Sequence, residues 1–422
     1  MQKNTFSTLE AVISIPPNHA NNPFHPLTYK ILGLTIIERN LRALEKNGVQ
    51  HVTFLLNDGI GILQDLLQLT GEWSMSFAFT QTNGLPALLK SHHQIPPKNG
   101  LLIFFEPMVI DPVLIEKILK KGQQQSDQAM IIKNQPVAFL SHHFLKNADP
   151  KRMLSGESTF SRQNYLQPKG PTLLCRAVKD NADVRAIEKS LIRNLTKPND
   201  GWVSRHLNRP ISTQFSRLLA RTNITPNQVT LILVVPGLLT GFILAKGGYW
   251  GFLIGGALFH LTSILDGVDG EMARLKFKSS LFGKWLDFMC DNLAYLAALV
   301  GFLIGLFRDG ISPFEKMASL TALTLTICMM TSIVLYYKRF NKDGKLLTVE
   351  YGFREGNGLF DRLMQWAEML GKRDWFALIF FLLAIVGKLE WALLYVCLVA
   401  AGVLVFSFEA HARAAKKQYD LN

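Results

Sequence analysis

The sequence predicts a chain of two classes, an α/β domain followed by an all-α membrane domain. Three observations carry that prediction. Residues 9–146 alternate between strand-like and helix-like patterns. Residues 229–408 are long apolar runs separated by short charged loops. The share of hydrophobic residues, 48% of 422, is high for a chain that lies wholly in water.

The first domain, residues 1–180, opens with LEAVISI, continues with TIIERNLRALEKNGV, whose apolar residues recur at helical spacing, and then HVTFLLN. Later LLIFF precedes DPVLIEKILKK. Strand, helix, strand in that order specifies a largely parallel sheet, because the helix carries the chain back to start the next strand in the same direction. Residues 147–172, rich in Ser, Gly, Pro, Gln and charge, read as a loop, and a helix resumes at 182–194.

Residues 181–227 form a juxtamembrane stretch. In SRHLNRPISTQFSRLLART, Asn208 is placed to cap a helix with Pro210 in its first turn, and Leu207, Ile211, Phe215, Leu218 and Leu219 fall on one side. Arg209, Arg217 and Arg221 lie mostly elsewhere. This fits a helix lying along a membrane surface, although an amphipathic helix packed on the soluble domain gives the same pattern.

Residues 228–422 contain apolar runs at 229–245, 249–265, 285–307, 317–336, 375–386 and 391–408. Six spans are expected, the fifth being shorter than the roughly 20 residues a span needs. With both termini in the cytoplasm, fifteen Lys and Arg flank the spans on that side and four on the other, which is the expected bias. The formal charge of +13 lies largely beside the apolar runs, so anionic headgroups explain it better than nucleic acid does. Cys175, Cys290, Cys328 and Cys397 are too widely spaced for a disulfide framework or a zinc site, which implies a reducing compartment. MQKNTFSTLE has no apolar h-region, so the first spans are expected to direct insertion.

The chemistry concentrates in DGVDGEMARLKFKSSLFGKWLDFMCD, residues 266–291. Asp266 and Asp269 are three apart and Asp287 and Asp291 four apart, so on helices each pair projects from one face. A short basic turn makes the two helices antiparallel neighbours, and the four carboxylates converge near the cytoplasmic boundary. Such a cluster needs a cation, because like charges repel and lose hydration there. An all-oxygen donor set selects a hard ion, Mg²⁺ or Mn²⁺. Gly267 and Gly270 leave the helix end open to a phosphate or ribose, Arg274 offers a fork for phosphate oxygens, and Gly283 lets the second and third spans pack closely. Solvated span ends and an ion-translocating cluster are the competing readings. Four carboxylates at these spacings argue against the first, and Arg274, Lys276, Lys278 and Lys284 against the second.

This segment resembles the CDP-alcohol phosphotransferase family, matching its signature D-x2-D-G-x2-A-R-x8-G-x3-D-x3-D at Asp266, Asp269, Gly270, Ala273, Arg274, Gly283, Asp287 and Asp291. The likeness extends over about 185–420 and includes ITPNQVT, where the family has a Pro-Asn-x-x-Thr type sequence. The resemblance implies a six-helix membrane domain, usually a homodimer, that transfers the substituted phosphoryl group of a CDP-alcohol to an acceptor hydroxyl and releases CMP. It implies Asp266, Asp269 and Asp287 as metal ligands, with Asp291 as a further ligand or as the general base. Gly270, Arg274 and Ser280 resemble residues that hold the CDP portion, with Asn227 and Thr230 at the cytidine and phosphate.

SLIRNLTKPNDGWVSRHLNRPIS looks most like the inositol-phosphate-using branch, especially the fused enzymes with a cytidylyltransferase ahead of the membrane domain. GLTIIERNLRALEKNGVQHVTFLL likewise resembles sugar-phosphate nucleotidyltransferases. Those enzymes wrap a triphosphate with a Gly-rich turn after the first strand. Here that place reads SIPPNHANNPFHPLTYK, with no Gly, so a degenerate, inactive domain is expected. Lys30 stands where a later lysine would, and Glu106 or Asp111 where a metal-binding Asp would. An enzyme active in both halves and a non-catalytic membrane scaffold are the alternatives. Lys338 and Arg339, at the end of the fourth run, are candidates to grip a phosphorylated acceptor, or are ordinary flanking charge. His19, His92, His93, His142 and His143 show no metal spacing.

Overall fold

Most of the apolar runs of the first half pair into one seven-stranded sheet. The computed structural model describes residues 9–15, 25, 27–56, 60–69, 72–81, 85–94, 97–124, 129–132, 137–147, 165–166, 174–197, 200–340 and 358–419. They belong to two units, Met1–Asn194 and Leu195–Asn422.

In the first unit the strands are β1 (Glu10–Ser14), β2 (Lys30–Ile31), β3 (Leu34–Thr35), β4 (His51–Leu55), β5 (Ser76–Thr80), β6 (Leu101–Phe104), β7 (Met108–Ile110), β8 (Met130–Ile132), β9 (Val137–Leu140), β10 (Tyr165–Leu166) and β11 (Cys175–Ala177). Seven form a sheet in the order β10-β8-β9-β6-β1-β4-β5. Pairing is parallel from β6 through β1 and β4 to β5, as the strand-helix-strand pattern predicts, and antiparallel where β9 joins β6 and β8. β6 is buried along its whole length, and Ala11, Val12 and Ile13 of β1 are buried in succession. Continuous burial rather than alternation is what a sheet covered on both faces requires.

The helices of this unit are α1 (Ile36–Lys46), α2 (Ile60–Leu69), α3 (Leu85–Gln94), α4 (Pro112–Gln124), α5 (His142–Asn147) and α6 (Asn181–Arg193). α6 lies in the first unit, whose last strand, β11, pairs with β7. The strand order reverses about β1, and in such sheets ligands bind outside the strand ends at that point. Most of the glycine-free stretch after β1, residues 16–24 and 26, lies outside the described residues, as do His19 and the side chain of His93. Lys30 is exposed, and Glu106 sits in the bend after β6. Asp111 spends its carboxylate structurally: Oδ1 accepts from Val113 N at 2.8 Å and Oδ2 from Asn194 Nδ2 at 3.4 Å.

The second unit begins with a π-turn, Ser204–Asn208, that leads into α7 (Arg209–Ala220). Asn208 does not cap this helix, because helical backbone already starts at Trp202; its side chain instead donates to Ser263 O. α8 (Pro226–Leu244), α9 (Gly248–Leu265), α10 (Gly267–Leu275), α11 (Leu281–Asp309), α12 (Pro313–Phe340), α13 (Leu359–Leu370), α14 (Arg373–Val386) and α15 (Trp391–Tyr419) follow.

Five described helices are long and apolar enough to cross a membrane: Pro226–Leu244, Gly248–Leu275, Leu281–Asp309, Pro313–Phe340 and Trp391–Lys416. The fifth of the six expected runs, α14, has only 14 residues. At 1.5 Å per residue it is about 21 Å long, short of a hydrocarbon core of about 30 Å. α8 and α11 touch backbone to backbone. A Cβ at Gly301 would lie 2.0 Å from Gly241 O, one at Gly241 2.3 Å from Ala297 O, and one at Gly305 2.2 Å from Leu244 O. Small residues permit this approach where lipid-embedded helices must gain contact by packing. The four cysteines are free.

Candidate active site

Asp266 stands where α9 meets α10, in helical conformation, so the chain runs through it without a break. After α10 the chain reverses in a Schellman turn. Lys278 N donates to Ala273 O at 2.9 Å and Phe277 N to Arg274 O at 3.4 Å, with Phe277 in the left-handed region at φ 54. Lys276 is consumed by this turn. Its Nζ donates to Thr222 O at 2.6 Å and Ile224 O at 2.9 Å, so it is not the free headgroup or phosphate partner that its position in the basic run suggests. Ser280 caps α11, accepting from Gly283 N at 2.9 Å, and α11 brings Asp287 and Asp291 back beside Asp266.

Oxygens of Asp266, Asp287 and Asp291 lie within 4.8 Å of one another. Asp269, 7% exposed, stands beside them and accepts from Thr230 Oγ1 at 2.5 Å. Thr230 is held in the first turns of α8 by a capping box, in which Gln228 N donates to Thr225 Oγ1 at 3.3 Å and Thr225 N to Gln228 Oε1 at 2.8 Å. That box is the physical content of ITPNQVT. It also aims Asn227, whose Oδ1 would lie 2.8 Å from a Cβ at Gly283. Gly283 therefore makes room for Asn227 from the first span, rather than for contact between the second and third spans.

One group in the cluster was not singled out from sequence. Arg373, the first residue of α14, donates through Nη1 to Asp291 Oδ1 at 2.7 Å and pairs with Asp266, while its guanidinium lies 4.9 Å from the centre of the Tyr295 ring. In the sequence it lies among the Lys and Arg between the fourth and fifth apolar runs. Arg373, the four Asp and Thr230 line a cavity of about 20 Å³. That volume admits one bare ion or one water. The all-oxygen donors, their spacing and the size of the cavity fit a hard divalent cation.

A basic group sits close by. Arg274 donates through Nη2 to Leu195 O at 3.3 Å, and its Nε is buried with no partner among the described residues. Arg209 forms a fork on Asp200, with Nε at 2.8 Å and Nη2 at 3.0 Å, and reaches Glu271 through Nη1. Burial, then the charges of Arg274 and Arg209, lowers the pKa of Lys197. Asp200 is lowered despite its burial by hydrogen bonds from Arg209 and Lys197 N and by their charges. Arg209 is neutralised by Asp200 and Glu271, which leaves Lys197 and Arg274 as the positive charges beside the carboxylates. The space beside Gly267 is already taken by Arg209, whose Nη1 would be 2.6 Å from a Cβ there, so that glycine admits a side chain rather than a substrate. Gly270 meets only Arg274, at 3.5 Å.

α7 is inside out by the standard of a soluble protein. Ser212, Thr213, Ser216 and Ala220 are buried while Ile211, Phe215 and Leu218 are exposed. Lys338 and Arg339 are exposed at the end of α12, with Arg339 over Phe340 at 5.4 Å, and no described contact joins them to the carboxylates. A second cavity of about 300 Å³, lined mostly by apolar residues including Phe259, Phe302, Met330 and Phe376, shares Arg373 with the first.

A family model described as CDP-alcohol phosphatidyltransferase matches residues 223–406. A bifunctional IPC transferase and DIPP synthase of Aquifex aeolicus (strain VF5) is 37% identical over 121 residues, covering 28% of this chain and 27% of that protein. Its namesake in Thermococcus kodakarensis is 40% identical over 111 residues, 26% of this chain and 24% of that protein. A phosphatidylinositol phosphate synthase of Mycobacteroides abscessus is 30% identical over 164 residues, 38% of this chain and 67% of that protein. The chain thus spans about a quarter of the length of the bifunctional relatives it matches.

Proposed function

The chain belongs to the CDP-alcohol phosphatidyltransferase family, and on that premise we propose that its multi-pass membrane unit transfers the substituted phosphoryl group of a CDP-alcohol to an acceptor hydroxyl, releasing CMP. The observation that carries this reading is the convergence of Asp266, Asp287 and Asp291, from both sides of one turn, within 4.8 Å. Asp266, Asp269, Asp287 and Asp291 would hold the divalent cation, Mg²⁺ or Mn²⁺. When bound, such an ion supplies positive charge against the developing charge on the phosphoryl oxygens and the CMP leaving group.

The remaining work falls to side chains. Thr230 orients Asp269, so that this carboxylate keeps one direction. Arg274, with Lys197, would draw the diphosphate to the cluster, and Asn227, Gly270 and Ser280 would hold the CDP portion. Asp291 takes the proton of the acceptor hydroxyl as its oxygen bonds to the phosphorus and the bond to the CMP oxygen breaks. Its ion pair with Arg373 occupies Asp291 Oδ1 at rest and so opposes that role. An anionic acceptor competes for Arg373 and so frees Asp291 as it binds. Lys338 and Arg339 remain candidates for the outer approach of such an acceptor.

The apolar 300 Å³ cavity beside Arg373 favours a substrate with a hydrocarbon part, so CDP-diacylglycerol heads the donors to try. The reading includes a homodimer with the catalytic end and both termini in the cytoplasm, supported by the family resemblance and the distribution of Lys and Arg. Purified full-length protein in lipid nanodiscs, given Mg²⁺ and CDP-diacylglycerol, CDP-inositol or CDP-ethanolamine with several acceptors, should release CMP from at least one pair. Silence across the whole panel would overturn the proposal.

The names of the bifunctional relatives favour a second reading, in which the first unit also makes the CDP-alcohol. Against it stand the absence of any Gly before Gly33 and the capping role of Asp111. In full-length Asp287→Asn protein, where product would accumulate, CTP and an alcohol phosphate should yield no CDP-alcohol. Its appearance would restore the second reading.

A further inference from the structure

Two buried carboxylates stand next in sequence to the site yet turn away from it. Glu271 follows Gly270 and is fully buried. Its Oε1 accepts from Ser212 Oγ at 2.8 Å and from Arg209 Nη1, and its Oε2 from Ser216 Oγ at 2.6 Å. Asp374 follows Arg373, is 8% exposed, and accepts from Ser204 N at 2.8 Å through Oδ2. Both are gripped by one short stretch, residues 200–216, within which Asp200 forks onto Arg209.

Each grip sits close against a glycine. A Cβ at Gly267 would lie 2.6 Å from Arg209 Nη1, and one at Gly201 3.0 Å from Asp374 Oδ2. The contacts of α14 with α9 are apolar, Phe376 and Phe380 against Phe259 and Ala384 against Gly256, and are less directional than charged hydrogen bonds. Buried charged hydrogen bonds are directional, and breaking one side leaves an uncompensated charge. The ties therefore have the strength and the direction to fix how far α10 and α14 stand from each other at the site.

We propose that Glu271 and Asp374 are positioning residues for phosphoryl transfer. They bind the helix that carries Asp269 and the helix that carries Arg373 to the same juxtamembrane stretch, so that the carboxylates and the guanidinium meet in register. The role rests on the phosphotransferase reading of the cluster, whereas the ties themselves do not.

The test uses full-length protein with Asp374→Ala, Asp374→Asn and Glu271→Gln. Misplacement of reacting groups by about an ångström costs on the order of 10- to 100-fold in rate. Asp374→Ala and Glu271→Gln should lose that much kcat per folded molecule, with KM for the CDP-alcohol changed by less than about three-fold. Asp374→Asn, whose amide oxygen still accepts from Ser204 N, should recover most of it. Mn²⁺ titration followed by electron paramagnetic resonance gives a readout free of turnover: both impaired variants should bind the ion more weakly or show an altered spectrum. Full kcat in both, or a loss in Asp374→Ala that Asp374→Asn does not repair, would overturn the proposal. If wild-type protein releases no CMP, the phosphotransferase reading falls instead. The Mn²⁺ comparison then decides the positioning role alone, an unchanged spectrum and affinity counting against it.

Discussion

At the scale of the residue, the carboxylates and their arginine share a constraint that spacing alone does not reveal. Asp266, Asp269, Asp287 and Asp291 were legible because a period of three or four residues puts neighbours on one helical face. Arg373 was not legible, since it comes from a helix more than 80 residues further on and has the look of a flanking charge. Glu271 was missed likewise, although Ser212 and Ser216, four residues apart opposite an apolar stripe, were the available signal. The base role gives a direct expectation. Asp291→Asn should lower CMP release by about 10²- to 10⁴-fold while CDP-alcohol binding, measured by calorimetry, largely survives. Loss of binding together with turnover would make Asp291 a ligand first.

Elements show which contacts bear weight. The α8–α11 seam has carbonyl oxygens where a methyl at Gly301 would go, so Gly301→Ala must force the helices apart. Overpacking of this kind costs about 1–3 kcal/mol, which should appear as a thermal midpoint several degrees lower in detergent. An unchanged midpoint would mean that the seam yields freely.

In the first unit, His92 Nε2 pairs with Glu10 Oε2 at 2.7 Å, tying α3 to β1. The hydrogen bond to His92 lowers Glu10 below its usual 4.5. Burial would lower His92, but the hydrogen bonds to Glu10 and Leu88 O and the charge of Glu10 raise it above 6.5. Raised His92 stabilises the fold fully below pH 6.5 and loses that contribution as pH rises through its folded value; lowered Glu10 contributes above pH 4.5 and loses it as pH falls. The gap in urea midpoint between wild type and His92→Gln should therefore be widest between pH 4.5 and 6.5. A gap that is flat with pH would deny the pair a charged state.

For the molecule as a whole, the proposed sidedness of the bundle rests on the distribution of charge. Lys278 lies in the turn that closes the carboxylate hairpin. A single cysteine at Lys278→Cys, in a chain whose four native cysteines are replaced, should react with an impermeant maleimide from the cytoplasmic face alone. Labelling from the other face would invert the topology. By itself the sequence determined the α/β sheet order of classes, the apolar spans and the four carboxylates, because these rest on periodicity and local spacing, which a chain carries along its length. Only the tertiary structure decided that Arg373 closes the cluster, that Lys276 is spent on a turn, that Gly267 and Gly283 make way for Arg209 and Asn227, and that residues 200–216 grip both sides of the site. Those are meetings between residues far apart in sequence, set by helix packing and buried charge pairing, and no local pattern encodes them.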